Sequence, residues 1–274
     1  MYFKPVSYSP PMASNRIGLK QTISDGLRES VKVRWNPSKD LTIVVGSYLL
    51  LVAVLYTAFN VVTSENVAPY FILYGPVSLL LIGVVLPVVW NTMLRKRPLA
   101  DTGITRKHAL VSLALGGLLG AVTYMGTLAE LELPVFDELF PLFMMAITVG
   151  LFEAVFFRGW IQLSLDRAFG AIPAVVLGAA FYSLYHIGYG MEAEELLLLF
   201  ILGITFAIAF RVTKNILVMW PFYTWIGGLY TNLEEGLSIP FESAYGFALV
   251  LVSMFMFIGF VLLKLSRDNK RKAP

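Results

Sequence analysis

Apolar residues run in long blocks along this chain, separated by short polar breaks. From position 41 onward, eight blocks predict helices at about 41–62, 69–93, 109–128, 139–164, 171–190, 195–210, 215–231 and 245–264. Most reach the roughly 17–25 residues that cross the hydrocarbon core of a bilayer. The blocks at 195–210 and 215–231 are short, which predicts a helical hairpin packed inside the bundle. No internal repeat and no low-complexity linker interrupts the pattern. Residues 1–40 hold no long apolar run and no secretory signal pattern. Within them, Ile23, Leu27 and Val31 recur at helical spacing beside Lys20, Arg28 and Lys32. That arrangement fits a short basic helix lying on the membrane surface, or a solvated arm.

Charge supports the same map. With the N-terminus in the cytosol, the inner segments carry every Lys and Arg of the chain except Arg158. The outer loops carry Glu65, Glu130, Glu132, Asp137, Glu138, Glu192, Glu194, Glu195, Glu234, Glu235 and Glu242, and no base. A missed or invented span would scramble this positive-inside pattern. The expected fold is therefore all-α: a polytopic, multi-pass cell-membrane protein with about eight transmembrane helices and both termini cytosolic. The chain divides into a basic arm (1–40), a membrane domain (41–265) and a basic tail (266–274).

Composition narrows the chemistry. Hydrophobic residues make up 57% and charged residues 14% of the chain, against roughly 45–50% and about 25% in soluble domains. The lipid bilayer is thus the first partner, and the basic excess is a topology signal, not a nucleic-acid signal. With no cysteine, disulfides, zinc-thiolate sites, Cys nucleophiles and S-palmitoylation are excluded. Two histidines, His108 and His186, exclude a His-rich metal site. His108 begins a span from an inner loop and is expected to be solvated.

Three ionisable side chains remain within the spans: Glu153, Arg158 and His186. A charge at the bilayer centre costs roughly 2.5 kcal/mol or more, so such residues usually face a cavity and serve a function. The alternative is a polar cluster that only holds two helices together. The fourth and fifth spans form a hairpin turning near Asp166 to Ala171. Glu153 lies about 15 residues before the turn and His186 about 17 after it, which places them within ~3 Å of one depth. A carboxylate and an imidazole at one level can share a proton or hold one water, as a general base requires. Arg158 stands five residues from Glu153, about 140° around an α-helix, and is not its stacked neighbour. It is expected to reach another helix or to snorkel toward the headgroups. Gly159 permits close helix approach. Tyr182 and Tyr189 share the His186 face at i−4 and i+3, lining a polar cavity or forming an interfacial belt.

The segment Phe152-Glu153-Ala154-Val155-Phe156-Phe157-Arg158-Gly159-Trp160 resembles the first motif of the CPBP family. That family comprises the type II CAAX prenyl endopeptidases and the bacteriocin-processing and immunity proteins. Its motif is two glutamates, three residues, then arginine, usually followed by glycine. Phe181-Tyr182-Ser183-Leu184-Tyr185-His186 is similar to the second motif, an aromatic four residues before a histidine. The inner loop with Asp101-Thr102-Gly103-Ile104 resembles the loop upstream of the family core. The resemblance covers about residues 141–233.

The resemblance implies an intramembrane endopeptidase in which Glu153 and His186 activate water, with Arg158 completing the catalytic set. In the family, a histidine and an asparagine on the seventh helix complete the site. Here Trp225 and Leu229 stand at those positions, and Ala154 replaces the second glutamate. Tyr182, Tyr189, Tyr223, Trp225 and Asn232 are the candidates for substrate or oxyanion contacts. A catalytic zinc needs about three protein ligands, and the buried set offers one Glu and one His. Zinc is therefore disfavoured and no cofactor is expected. Expected substrates are membrane-embedded, prenylated or otherwise lipidated peptides. The alternative is a catalytically inactive protein of the same fold, acting as an immunity, regulatory or binding factor. A proton-coupled transporter is weaker, since no inverted repeat or paired broken helix is evident.

Overall fold

The computed structural model describes residues 33–62 and 66–272, with side chains through Asp268. The arm helix expected within 14–35 falls almost wholly outside them. The described chain is helical, with no strand among the described residues. Its helices are α1 (Lys39–Val62), α2 (Val67–Leu94), α3 (Ala109–Leu128), α4 (Phe136–Phe169), α5 (Ala171–Tyr189), α6 (Ala193–Thr213), α7 (Phe222–Glu234) and α8 (Ser243–Lys272).

Seven of these are long and apolar enough to cross a membrane, and α7 is not. The expected hairpin of two short helices is corrected in both halves. Helix α6 is a full 21 residues, started by a capping box in which Glu192 and Glu195 satisfy each other's backbone. The block at 215–231 is broken. Asn215 caps a short 3₁₀ turn, Ile216–Val218, by accepting from the Leu217 amide at 2.9 Å. Pro221 has no N–H and begins α7 afresh. Asn215 also donates to the Thr105 and Lys107 carbonyls, whereas Glu235, just past α7, lies near Glu195. The segment 215–235 thus passes from one end of the bundle to the other in two pieces.

Helix α4 is the axis. Its span is the most enclosed of the seven, and α7, α8 and α5 pack along it. Polar pins fix it laterally: Trp160 donates to Ser47 of α1 at 3.0 Å, Thr148 to the Phe247 carbonyl of α8 at 3.2 Å. Trp220 donates back to the Ile147 carbonyl at 2.9 Å. Gly170, at φ +91°, makes the break between α4 and α5, a conformation that glycine adopts without steric cost.

The basic loops gather at one end. Asp40 is buried there and held by Arg95 at 2.7 Å, Arg97 at 2.5 Å and the Trp90 indole at 3.0 Å. Arg211 pairs with Asp166 at 2.5 Å and Arg167 with Asp101 at 3.7 Å. The loop before α3 closes this end. Its 3₁₀ turn, Leu99–Thr102, lies directly against Gly159, where an added Cβ would overlap the Thr102 carbonyl. The expected close approach at Gly159 is thus real, but it is made by a loop and not by a helix.

Candidate active site

Glu153 closes the α-helical part of α4, and the next nine residues, Ala154–Gln162, wind with the wider i→i+5 hydrogen bonding of a π-helix. This changes the angular arithmetic. In an α-helix residues five apart diverge, but i→i+5 bonding sets them one above the other. The five-residue interval between Glu153 and Arg158 therefore no longer fixes an angle of about 140° between them. The two interact electrostatically, yet among the described residues no ion pair within 4.0 Å includes Arg158.

His186 sits where α5 tightens into a 3₁₀ turn, Tyr185–Tyr189. Its Nδ1 lies 3.0 Å from the Tyr182 carbonyl and 3.3 Å from that of Ser183. Carbonyl oxygens only accept, so Nδ1 carries the proton and Nε2 presents its lone pair. Glu153 and His186 are both nearly buried, 8% and 7% exposed, which leaves each a narrow opening.

Between them stands a residue that sequence reasoning passed over. Tyr185 donates its hydroxyl to Glu153 Oε1, and its ring lies 4.0 Å from the His186 imidazole, centroid to centroid. No hydrogen bond or ion pair joins Glu153 to His186 directly among the described residues. The expected pair is a triad arranged around a phenol. Tyr185 was missed because α-helical spacing from His186 selects i−4 and i+3, and the 3₁₀ turn alters the register here. Its adjacency to the histidine was the available signal.

More phenols surround the carboxylate. Tyr182 packs edge-on against the His186 ring, centroids 5.3 Å apart. Tyr74 of α2 packs on Tyr189 and Tyr124 of α3 on Tyr223, each at 6.1 Å between centroids; neither was foreseen. Tyr189 packs against Phe59, Tyr74, Tyr185 and His186. Its hydroxyl is buried without a hydrogen-bond partner. It therefore lines the interior and does not belong to an interfacial belt.

The other candidates lie farther off. Tyr223 is buried one ring layer away, against Phe206, with its hydroxyl 3.3 Å from Thr205 Oγ1. The Trp225 indole packs on Phe143 at 5.0 Å. The Trp225 backbone lies beside Gly150, one turn before Glu153, and its buried indole N–H has no hydrogen-bond partner. Leu229 is partly buried in the core. Asn232 lies near the end of α7, where its backbone carbonyl accepts from Leu237. His108 is exposed at the start of α3, as expected.

No group of three metal-ligating side chains occurs among the described residues. Glu192 and Glu195 do not fold inward, because each is engaged in the cap of α6. The donors around Glu153 are one carboxylate, one imidazole and phenols, a set that does not fit a three-ligand zinc centre.

Arg158 does not snorkel. It is 1% exposed and reaches across to α5 and α6, its guanidinium 5.3 Å from the Tyr182 ring centroid and 5.9 Å from that of Phe206.

Removing the Tyr185 hydroxyl tests the central contact. Tyr185→Phe keeps the ring that packs on Phe157 and His186. It is expected to keep the fold and lower kcat by about 10- to 100-fold, the equivalent of one hydrogen bond to a charged group. Steady-state kinetics with KM unchanged would show this, and an unaltered kcat would remove Tyr185 from the site.

Residues 135–229 match the family model of Rce1-like type II CAAX prenyl endopeptidases. The match spans α4 to α7 and so covers both motif segments. This stretch is thus similar to type II CAAX prenyl endopeptidases, and it lies in a multi-pass membrane protein. No curated protein matches the chain.

Proposed function

We propose that this protein is an intramembrane endopeptidase in which Glu153 and His186 activate a water molecule, the basic end of the bundle facing the cytosol. One observation carries the reading: a nearly buried carboxylate and a nearly buried imidazole, joined through Tyr185, lie inside the stretch that matches a protease family. One Glu153 oxygen is held by Tyr185, which leaves Oε2 to take a proton. Nε2 of His186 offers the second anchor for the same water. The hydroxide equivalent adds to the scissile carbonyl, and the proton taken by Glu153 passes to the departing amine. The oxyanion needs a donor, and the free Tyr189 hydroxyl supplies one at the position of the ring cluster. Such a donor contributes roughly 10²–10³ in rate. Substrates are membrane-embedded or lipidated peptides.

A second reading is a binding or regulatory protein of the same fold. The observation favouring it is the Trp225 indole, turned onto Phe143 at a family catalytic position, with Ala154 in place of the second acid.

The test is cleavage by purified protein in liposomes, using a fluorogenic prenylated peptide and a library of membrane peptides. Cleavage that persists with a chelator supports water activation by Glu153 and His186 alone. No cleavage by folded protein across the library would transfer the assignment to the binding reading.

A further inference from the structure

At the basic end of the bundle, three helix ends meet around one carboxylate. Asp166 lies in the last turn of α4, Ala174 in the first turn of α5, and Phe210, Arg211 and Lys214 at the end of α6. With Gln162 and Leu163 they line a cavity that has room for one water-sized group. Asp166 Oδ2 accepts from Arg211 Nη1 at 2.5 Å and lies 3.7 Å from Lys214 Nζ. The other oxygen, Oδ1, is buried and has no hydrogen-bond partner among the described residues. The Gln162 amide is turned elsewhere, onto the Ala207 carbonyl at 2.8 Å. A buried carboxylate oxygen without a donor is costly. The group that satisfies it must donate a hydrogen bond and be no larger than water.

The mouth makes a second demand. Arg211 and Lys214 bring two positive charges to a single carboxylate, and both side chains remain partly exposed. One positive charge is left over, which favours an anion just outside the cavity. A small cationic donor inside and an anion at the mouth are the two ends of an ethanolamine phosphodiester. The site also stands where helices end, at the depth of lipid headgroups. In the turns that border it, α5 exposes Ile172 and Val176, and α6 exposes Ile208 and Val212, each pair one helical turn apart. That apolar flank suits acyl chains and gives a soluble phosphodiester nothing to hold. We propose that this cavity is a headgroup site for a membrane lipid of the phosphatidylethanolamine class. Its primary ammonium donates to Asp166 Oδ1, and its phosphate rests on Arg211 and Lys214. The site is distinct from the one around Glu153, which lies roughly 15–20 Å farther along α4, and it does not depend on the endopeptidase reading.

The experiment measures lipid affinity of the purified full chain in detergent by native mass spectrometry. The lipids share their acyl chains: phosphatidylethanolamine, its N-methyl and N,N-dimethyl forms, phosphatidylcholine and phosphatidylglycerol. Methylation keeps the positive charge while it removes donors and enlarges the group. Affinity is expected to fall along the series, by about 10- to 100-fold from the primary amine to choline, the equivalent of one hydrogen bond to a charged group. Lys214→Gln is expected to weaken ethanolamine and choline lipids alike and to leave the preference between them. Asp166→Asn is expected to abolish that preference. Ala174→Val, which fills the cavity and leaves the Asp166–Arg211 pair intact, is expected to do the same. Should neither of these two variants fold, the methylation series on wild type decides alone. Equal affinity for the ethanolamine and choline lipids overturns the proposal. So does tighter binding of phosphatidylglycerol, which would make the patch a general anion site. A preference that persists in a folded Asp166→Asn or Ala174→Val also overturns it. Soluble glycerophosphoethanolamine that competes at the affinity of the lipid would overturn the lipid assignment.

Discussion

Protein carrying Glu153→Gln is expected to fold and insert as wild type does and to cleave peptide about 10²–10⁴-fold more slowly, the usual contribution of a positioned general base. The substitution is nearly isosteric. A glutamine oxygen still accepts from Tyr185, so the contact that ties α4 to α5 survives. What disappears is the capacity to take a proton from water. His186→Ala is expected to cause a comparable loss by a different route, since it removes the Nε2 lone pair that the Nδ1 contacts with Tyr182 and Ser183 hold in place. The two losses should not add in the double variant, because both groups serve one water. Kinetics on purified variants of equal thermal stability give the comparison. Full activity in either variant would dismiss the Glu153–His186 assignment. If instead a cellular phenotype persists in Glu153→Gln while bulky substitutions of Tyr182 or Tyr189 destroy it, the binding reading is the better one.

Gly159→Ala is expected to be the most damaging single methyl group in the core. An added Cβ meets the Thr102 carbonyl carbon at 2.8 Å and overlaps its oxygen. These are backbone atoms of Thr102, which is fully buried and whose hydroxyl closes the turn on the Leu99 carbonyl at 2.6 Å. They cannot swing aside as a side-chain tip would. Overpacking of this kind costs about 1–3 kcal/mol, a fall of roughly 2–12 °C in Tm. Activity should fall too, because the loop buttresses the helix one residue from Arg158. Gly126→Ala provides the control. Nothing lies within 4 Å of its added Cβ, and alanine is the better helix former by about 1 kcal/mol, so stability should hold or rise slightly. Equal melting of both variants in detergent would show that the Leu99–Thr102 turn does not dock against α4.

The residues that sequence reasoning misplaced share a cause. Arg158 was set 140° from Glu153 because α-helical geometry was applied to a stretch that is a π-helix. Tyr185 was overlooked because the same geometry was applied to a 3₁₀ turn. Trp225 was put near the level of Glu153 by counting from the Arg211–Lys214 turn, and its backbone does lie beside Gly150, but its indole packs toward Phe143. Tyr74 and Tyr124 carried no signal at all. They come from helices distant in the chain, and a tyrosine within an apolar block reads as core or interface.

The membrane character, the helical class, the boundaries of most spans and the two buried groups Glu153 and His186 were determined by the sequence alone. The physical reason is the bilayer: lipid tolerates few charges and requires long apolar helices, so both the spans and the exceptions within them stand out in one dimension. The tertiary structure alone decided which groups touch. It brought Tyr185 onto Glu153, turned Trp225 away, and left Arg158 without an acid. Those outcomes depend on local departures from α-helical winding and on contacts between distant helices, and neither leaves a periodic trace in the order of residues.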